Sequence, residues 1–311
     1  MARLSRVQLG ILCMVAGMFC ISMNDMLIKA MSGSYPLHQI VFARTVVGLA
    51  LTLVLLRLEG GFALLRTDRA GLHLLRAGLV VFANSAFYAA FVAMPLATAT
   101  ALYFIAPLLV TLMAIPVLGE RVGPRRLLAV LAGFGGVLLM LSPHLSGGPE
   151  SAGWLALLPL LAAAGYAGSA VLTRKLGHGS RASALAVYIH SAFLVVSLLF
   201  YVVAGDGGLM PEGTNSSLEF LLRPWVWPLP GDLWPMLGLG VLSGVVGYAM
   251  AQAYRMASAS VVAPFEYLLM IFALFWGWTV FGEWPLPQVL AGAAVIVAAG
   301  IYVFWRGERA G

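Results

Sequence analysis

Glu266 stands inside the run APFEYLLMIFALFWGWTVFGE (263–283), which is otherwise apolar enough to lie in lipid. An ionised acid near the middle of a bilayer costs roughly 2.5–3.5 kcal/mol even on the gentler insertion scales, so such a residue faces a cavity or a partner. His190 falls at comparable depth in the run 183–204. A histidine that titrates near neutrality beside an acid satisfies both groups, and it also has the chemistry of a proton relay. Structural pairing and proton coupling are both open readings of His190 and Glu266. A second polar group gathers near the other boundary. Asp25 and Lys29 are one helical turn apart and can pair along their helix, and Arg44 can reach the same level. The three read either as a structural ion cluster or as a guanidinium offered to a substrate carboxylate, whose fork it matches.

Uncharged polar residues supply a lining. Asn84 and Tyr88 are four apart, as are Tyr248 and Gln252, so each pair shares one face of its helix. Tyr103, Tyr166 and Tyr267 add aromatic faces, with packing or interfacial anchoring as their plainer role. Pro107 and Pro264 each leave a carbonyl unbonded by its own helix and able to meet a ligand or water. Gly240, Gly244 and Gly247 form a smooth stripe suited to close helix packing. Enzyme chemistry is poorly served: there is no H-E-x-x-H metal spacing, GVLSGVVG (240–247) has the wrong serine spacing for a protease, and adjacent His190 and Ser191 point to different faces. The reading is therefore no enzyme, no metal and no cofactor.

These side chains are held in an environment set by composition. The chain has 311 residues, 61% of them hydrophobic and 10% charged, against about 25% charged in soluble proteins. Apolar runs long enough to cross a roughly 30 Å hydrocarbon layer recur at 7–28, 37–57, 74–94, 98–118, 124–142, 152–173, 183–204, 234–254, 261–281 and 286–305. The first is too long, and too polar at its end, for a cleaved signal peptide, and reads as a retained span. Cys13 and Cys20, seven apart on that helix, are about 10.5 Å apart along its axis, too far for a disulfide. The segment 205–233 is rich in helix breakers and carries Trp225 and Trp227, with Trp234 just beyond, so it is expected to lie along the membrane surface.

Ten spans put 15 of the 18 Lys and Arg on one side and only Lys29 and Arg223 on the other, with Arg44 inside a span. The positive-inside rule then places both termini in the cytoplasm. Six acids, from Glu150 to Glu283, fall on the opposite side, so the net charge of +6 reflects sidedness and gives no sign of nucleic-acid binding.

The chain also repeats itself. YAAFVAMPLATAT (88–100) matches YAMAQAYRMASAS (248–260), and the runs that follow close in VLGE (117–120) and VFGE (280–283). Five spans per half is an odd number, so the second half, 148–311, enters from the side where the first, 1–147, ended. The expected fold is an all-α membrane protein of ten transmembrane helices in two inverted-topology repeats of five, a plan typical of transporters.

This span count, the Gly119–Glu120 and Gly282–Glu283 pairs and APFEY (263–267) together resemble the drug/metabolite transporter superfamily of the EamA type, over essentially the whole chain. Within it the chain is most similar to bacterial YddG-like exporters of aromatic amino acids. The resemblance implies a bacterial inner-membrane carrier, alternating access around a central cavity, and export of amino acids or similar amphipathic solutes. Membrane lipids, and protons if transport is coupled, are the other partners. A multidrug or organic-cation exporter and a channel-like facilitator are the alternatives. One departure is APLLV (106–110) where the second half has APFEY: an acid at Glu266 belongs to one half only.

Overall fold

A computed structural model describes residues 5–67, 69–119, 123–145, 153–176, 182–210, 215–256 and 263–308. Among them there is no β-strand. The helices are α1 (Arg6–Met31), α2 (Leu37–Glu59), α3 (Ala70–Ala90), α4 (Leu96–Tyr103), α5 (Ala106–Leu118), α6 (Pro124–Leu145), α7 (Leu158–Leu176), α8 (Ala182–Ala204), α9 (Ser216–Leu222), α10 (Leu233–Met256), α11 (Leu268–Phe281) and α12 (Pro287–Glu308). Each expected span is helical over most of its described residues. Six stretches, Arg6–Met31, Leu37–Glu59, Ala70–Ala90, Leu96–Leu118, Gly153–Thr173 and Ser183–Ala204, are long and apolar enough to cross a membrane. Four shorter apolar helices of 10–17 residues fall within α6, α10, α11 with the turn before it, and α12.

Local chemistry sets the ends and breaks. α1 opens on a capping box, with the Gln8 amide donating to Ser5 Oγ at 3.2 Å and the Ser5 amide to Gln8 Oε1 at 2.8 Å. The fourth span is broken at Phe104–Ile105, just before Pro107 in the first turn of α5. Proline has no N–H to bond back into α4, so the chain restarts there. At the matching point of the second half, a 3-10 turn at Ala263–Tyr267 holds Pro264 and precedes α11. α5 and α11 then end alike, on Gly119 (φ 70°) and Gly282 (φ 65°). That left-handed geometry excludes most side chains and lets the chain turn off the helix end. Glu120, partner of Glu283 in the repeated motif, lies outside the described residues.

Helices of the two halves pack in exchanged pairs: α1 on α10, α3 on α7, α2 on α8 and α6 on α12. Lipid provides no hydrophobic drive between helices, so small residues that admit close backbones matter most. A Cβ on Gly136 would stand 2.8 Å from the Gly292 carbonyl, and one on Gly244 would stand 2.8 Å from Leu51. Gly240 packs against Val47 and the Arg44 carbonyl, whereas Gly247 faces open space. The expected stripe therefore works through its first two members.

The described residues of segment 205–233 form a strap against the first half. Ser217 Oγ donates to the Ala89 carbonyl at 2.6 Å, and Arg223 Nη1 to the Ser32 carbonyl at 3.2 Å and the Gly33 carbonyl at 2.5 Å. Gln39 bonds both backbone groups of Val226, at 2.6 and 3.2 Å. Tyr35 donates to Asp232 Oδ2 at 2.5 Å, which holds its hydroxyl above the ordinary tyrosine range. Trp225 turns inward against Tyr201 and Phe42, whereas Trp227 and Trp234 are 95% and 77% exposed. The strap carries unpaired backbone that lipid cannot solvate, and side chains of the first half meet that need.

Candidate functional site

A chamber of about 200 Å3 lies within the bundle. α1 gives it Met18, Ile21 and Asp25; α3 gives Asn84, Phe87 and Tyr88; the α4–α5 break gives Tyr103 and Pro107. From the second half come Tyr166 on α7, Met250 on α10, Glu266 in the turn and Leu269 on α11. Aromatic faces run along one wall: Phe87 and Tyr103 centroids are 4.7 Å apart, and Tyr103 and Tyr166 5.8 Å. Asn84 Nδ2 donates to its own helix at Val80, 3.0 Å away. Glu266 is close enough to interact electrostatically with Tyr103, Tyr166 and Tyr267. Two carboxyl groups, one from each half, thus share a chamber whose described lining includes no Lys, Arg or His.

Behind this wall is a buried network. Arg44, 7% exposed, donates to Tyr88 Oη at 2.9 Å and lies over the rings of Tyr88 and Phe193, each 5.3 Å from its guanidinium carbon. Asn24 Nδ2 reaches Tyr88 Oη at 3.2 Å and Asp25 Oδ1 at 3.5 Å. Arg44 also interacts electrostatically with Asp25. One of its N–H groups is committed to Tyr88, and its guanidinium sits behind the chamber wall, outside the chamber's described lining.

Lys29 corrects the expected cluster. It pairs with Glu283 at 2.6 Å rather than with Asp25, and also donates to the Met94 carbonyl at 3.1 Å. The second Glu283 oxygen accepts the Leu96 amide at 3.0 Å. This latch ties α1, the start of α4 and the end of α11 together, one turn beyond Asp25. Sequence reasoning placed Glu283 in a loop, and a partner 254 residues away leaves no local signal. Asn24 was also missed, although its place beside Asp25 was the available hint.

The expected His190–Glu266 pair is separated as well. His190 faces Ala186 O on its own helix at 2.9 Å, with its ring against Gly48. A histidine can satisfy itself within an apolar helix in this way, because the carbonyl four residues back is within reach. Tyr267 lies against Phe104 at 5.1 Å, and its hydroxyl abuts Gly300 of α12; it supports the chamber from the periphery instead of lining it. Gln252 is half-buried on α10. The side chains of Tyr248 and Pro264 lie outside the described residues.

An apolar helical bundle closed around a polar, aromatic chamber is the architecture of a membrane transporter for a small molecule. The EamA-like transporter family model matches residues 8–142 and 153–305, two copies in one chain, and the protein belongs to that family. It is 32% identical over 243 residues to a riboflavin transporter of Rhizobium johnstonii, covering 78% of this chain and 73% of that one. It is 28% identical over 298 residues to the pseudopaline exporter CntI of Pseudomonas aeruginosa, covering 96% of each. An S-adenosylmethionine uptake transporter of Rickettsia prowazekii is 23% identical over 289 residues, with 93% and 90% covered. One solved structure superposes with a TM-score of 0.60 at 18% identity, over 94% of this chain and 95% of that one, a likeness of fold alone. The chain is a multi-pass membrane transporter with two repeats.

Proposed function

We propose that this protein carries a flat, hydroxyl-bearing heteroaromatic solute, riboflavin foremost, across the bacterial inner membrane by alternating access. The observation that carries the reading is the chamber itself: tyrosine and phenylalanine faces beside two carboxyl groups and an asparagine, with no cation in its described lining. Stacking faces suit a planar ring system. Carboxylates and an amide accept and donate to hydroxyls, so a polyol chain is held by orientation-specific bonds. The identity to riboflavin transporters supports this choice. Aromatic amino-acid export is served less well, because a substrate carboxylate would meet two acids, Asp25 and Glu266, in a described lining that has no Lys, Arg or His. An organic cation, such as a sulfonium, is the second reading, favoured by the same two acids and by the aromatic faces.

The proposed mechanism rests on ten crossings in two inverted repeats, 1–147 and 148–311, with both termini cytoplasmic. On that topology the Lys29–Glu283 latch closes the outer end, and the chamber, smaller than the roughly 300–1,000 Å3 of ordinary ligand sites, opens as the halves part. Direction follows the solute gradient unless protons are coupled. The deciding experiment is a proteoliposome panel of riboflavin, tryptophan, phenylalanine and S-adenosylmethionine, with and without a pH gradient. Saturable riboflavin counterflow that falls at least tenfold in Tyr103→Ala, with normal reconstitution, supports the proposal; transport of amino acids in its place would overturn it.

A further inference from the structure

Between α3 and α8 a lateral groove of about 930 Å3 runs from Gly71 near one end of α3 to Ala89 near the other. The eighteen residue-to-residue steps at about 1.5 Å each span about 27 Å, close to the hydrocarbon thickness of a bilayer. The groove's described lining contains no Lys, Arg, Asp or Glu. Its counterpart between α2 and α10 is closed, because Gly240 and Gly244 let those helices touch. Toward the strap the groove shares Val81, Ser85, Val196, Phe200 and Leu221 with a small pocket of about 20 Å3, which His38 and Ser197 complete.

His38 gives this place its chemistry. The side chain is buried, 5% exposed, with its ring stacked on Phe200 and Trp225 at 5.6 and 5.8 Å. Nδ1 faces the Leu221 carbonyl at 3.1 Å, and Nε2 is buried without a hydrogen-bond partner among the described residues. A carbonyl only accepts, so Nδ1 carries the hydrogen, and on a neutral ring Nε2 is left as an acceptor. It calls for a donor, and a buried acceptor left unmet is costly. A pocket of this size admits one water or one hydroxyl. It has no room for a phosphate or a ring.

We propose that groove and pocket form one site for a neutral membrane amphiphile, a lipid alcohol whose hydroxyl donates to His38 Nε2 while its hydrocarbon body lies between α3 and α8. An ester carbonyl fails here because it cannot donate, and a charged headgroup finds no Lys, Arg, Asp or Glu in the described lining, whose His73 is stacked on Tyr188 at 4.9 Å toward the groove's far end. The site is separate from the central chamber and stands whatever solute the chamber takes.

Native mass spectrometry on the full chain in micelles tests this, with oleyl alcohol and its methyl ether as probes. The ether has the same chain and no donor. Wild type should bind the alcohol about tenfold more tightly than the ether, the worth of one good hydrogen bond. Gly78 lines the groove, and a Cβ there meets nothing within 4 Å. Gly78→Leu should therefore narrow the groove at its middle and weaken binding of both ligands, and His38→Phe should reduce the alcohol to the level of the ether. Equal binding of the two probes to wild type, or binding untouched by Gly78→Leu, would overturn the proposal and leave Nε2 to a single buried water. The wild-type comparison and Gly78→Leu decide the matter even if His38→Phe does not fold.

Discussion

Glu283→Gln isolates the charge of the latch while keeping its shape. The glutamine carbonyl can still accept the Leu96 amide, now at 3.0 Å, but Lys29 loses a carboxylate held at 2.6 Å. Lys29 is 9% exposed and Glu283 25%, so the pair is neither a solvated surface bridge nor a fully buried one. A hydrogen bond to a charged group contributes about 1.5–3 kcal/mol and a neutral one about 0.5–1.5. The orphaned ammonium adds to the loss, with about 3–5 kcal/mol as the limit for a fully buried pair. A shift of about 1–3 kcal/mol against the latched form is expected, or roughly 5- to 150-fold in its population. The assay is alkylation of Ile21→Cys, a chamber position, by a membrane-impermeant maleimide applied from the latch side, with Cys13 and Cys20 replaced by alanine. Labelling should accelerate at least fivefold. Adding Lys29→Met removes the stranded ammonium and should return part of the protection. A labelling rate within twofold of the parent would refute the latch as the closure of that end.

The strap gives two further tests. Gln39→Ala removes both bonds to Val226 and should speed hydrogen exchange at the Val226 amide about tenfold, the equivalent of about 1.4 kcal/mol. Tyr35 has its hydroxyl pKa raised by its bond to Asp232; the unfolded chain therefore loses that proton first as pH rises. The stabilisation is complete below the ordinary value of about 10 and is lost above it. The unfolding temperature should fall as pH rises above that value in the parent, and fall less in Tyr35→Phe. At the α6–α12 seam, Gly136→Ala sets a methyl 2.8 Å from the Gly292 carbonyl and should cost about 1–3 kcal/mol, read as a lower unfolding temperature in detergent.

Much of the candidate site was legible in the chain. Asn84 and Tyr88 share a helix face by spacing, and that face lines the chamber with Tyr103, Tyr166 and Glu266. The partners were not legible. α1 and α2 are so evenly apolar that no stripe of polarity says which side faces a neighbour, and lipid removes the burial pattern that guides such readings in water. Asp25 with Lys29, and His190 with Glu266, were the nearest matches by depth and by sequence distance. The bundle gave Lys29 to Glu283 and left His190 to its own helix.

By itself the sequence determined depth: the length of each apolar run, the proline breaks at Pro107 and Pro264, and the glycine ends at Gly119 and Gly282 are local, and each acts along a single helix axis. Only the tertiary structure decided direction around those axes. Which face of α2 turns Arg44 to Tyr88, which end the strap covers, and why α2 and α10 close while α3 and α8 stay parted depend on contacts between residues tens to hundreds of positions apart. Those contacts arise when the two halves pack, and a one-dimensional pattern does not encode them.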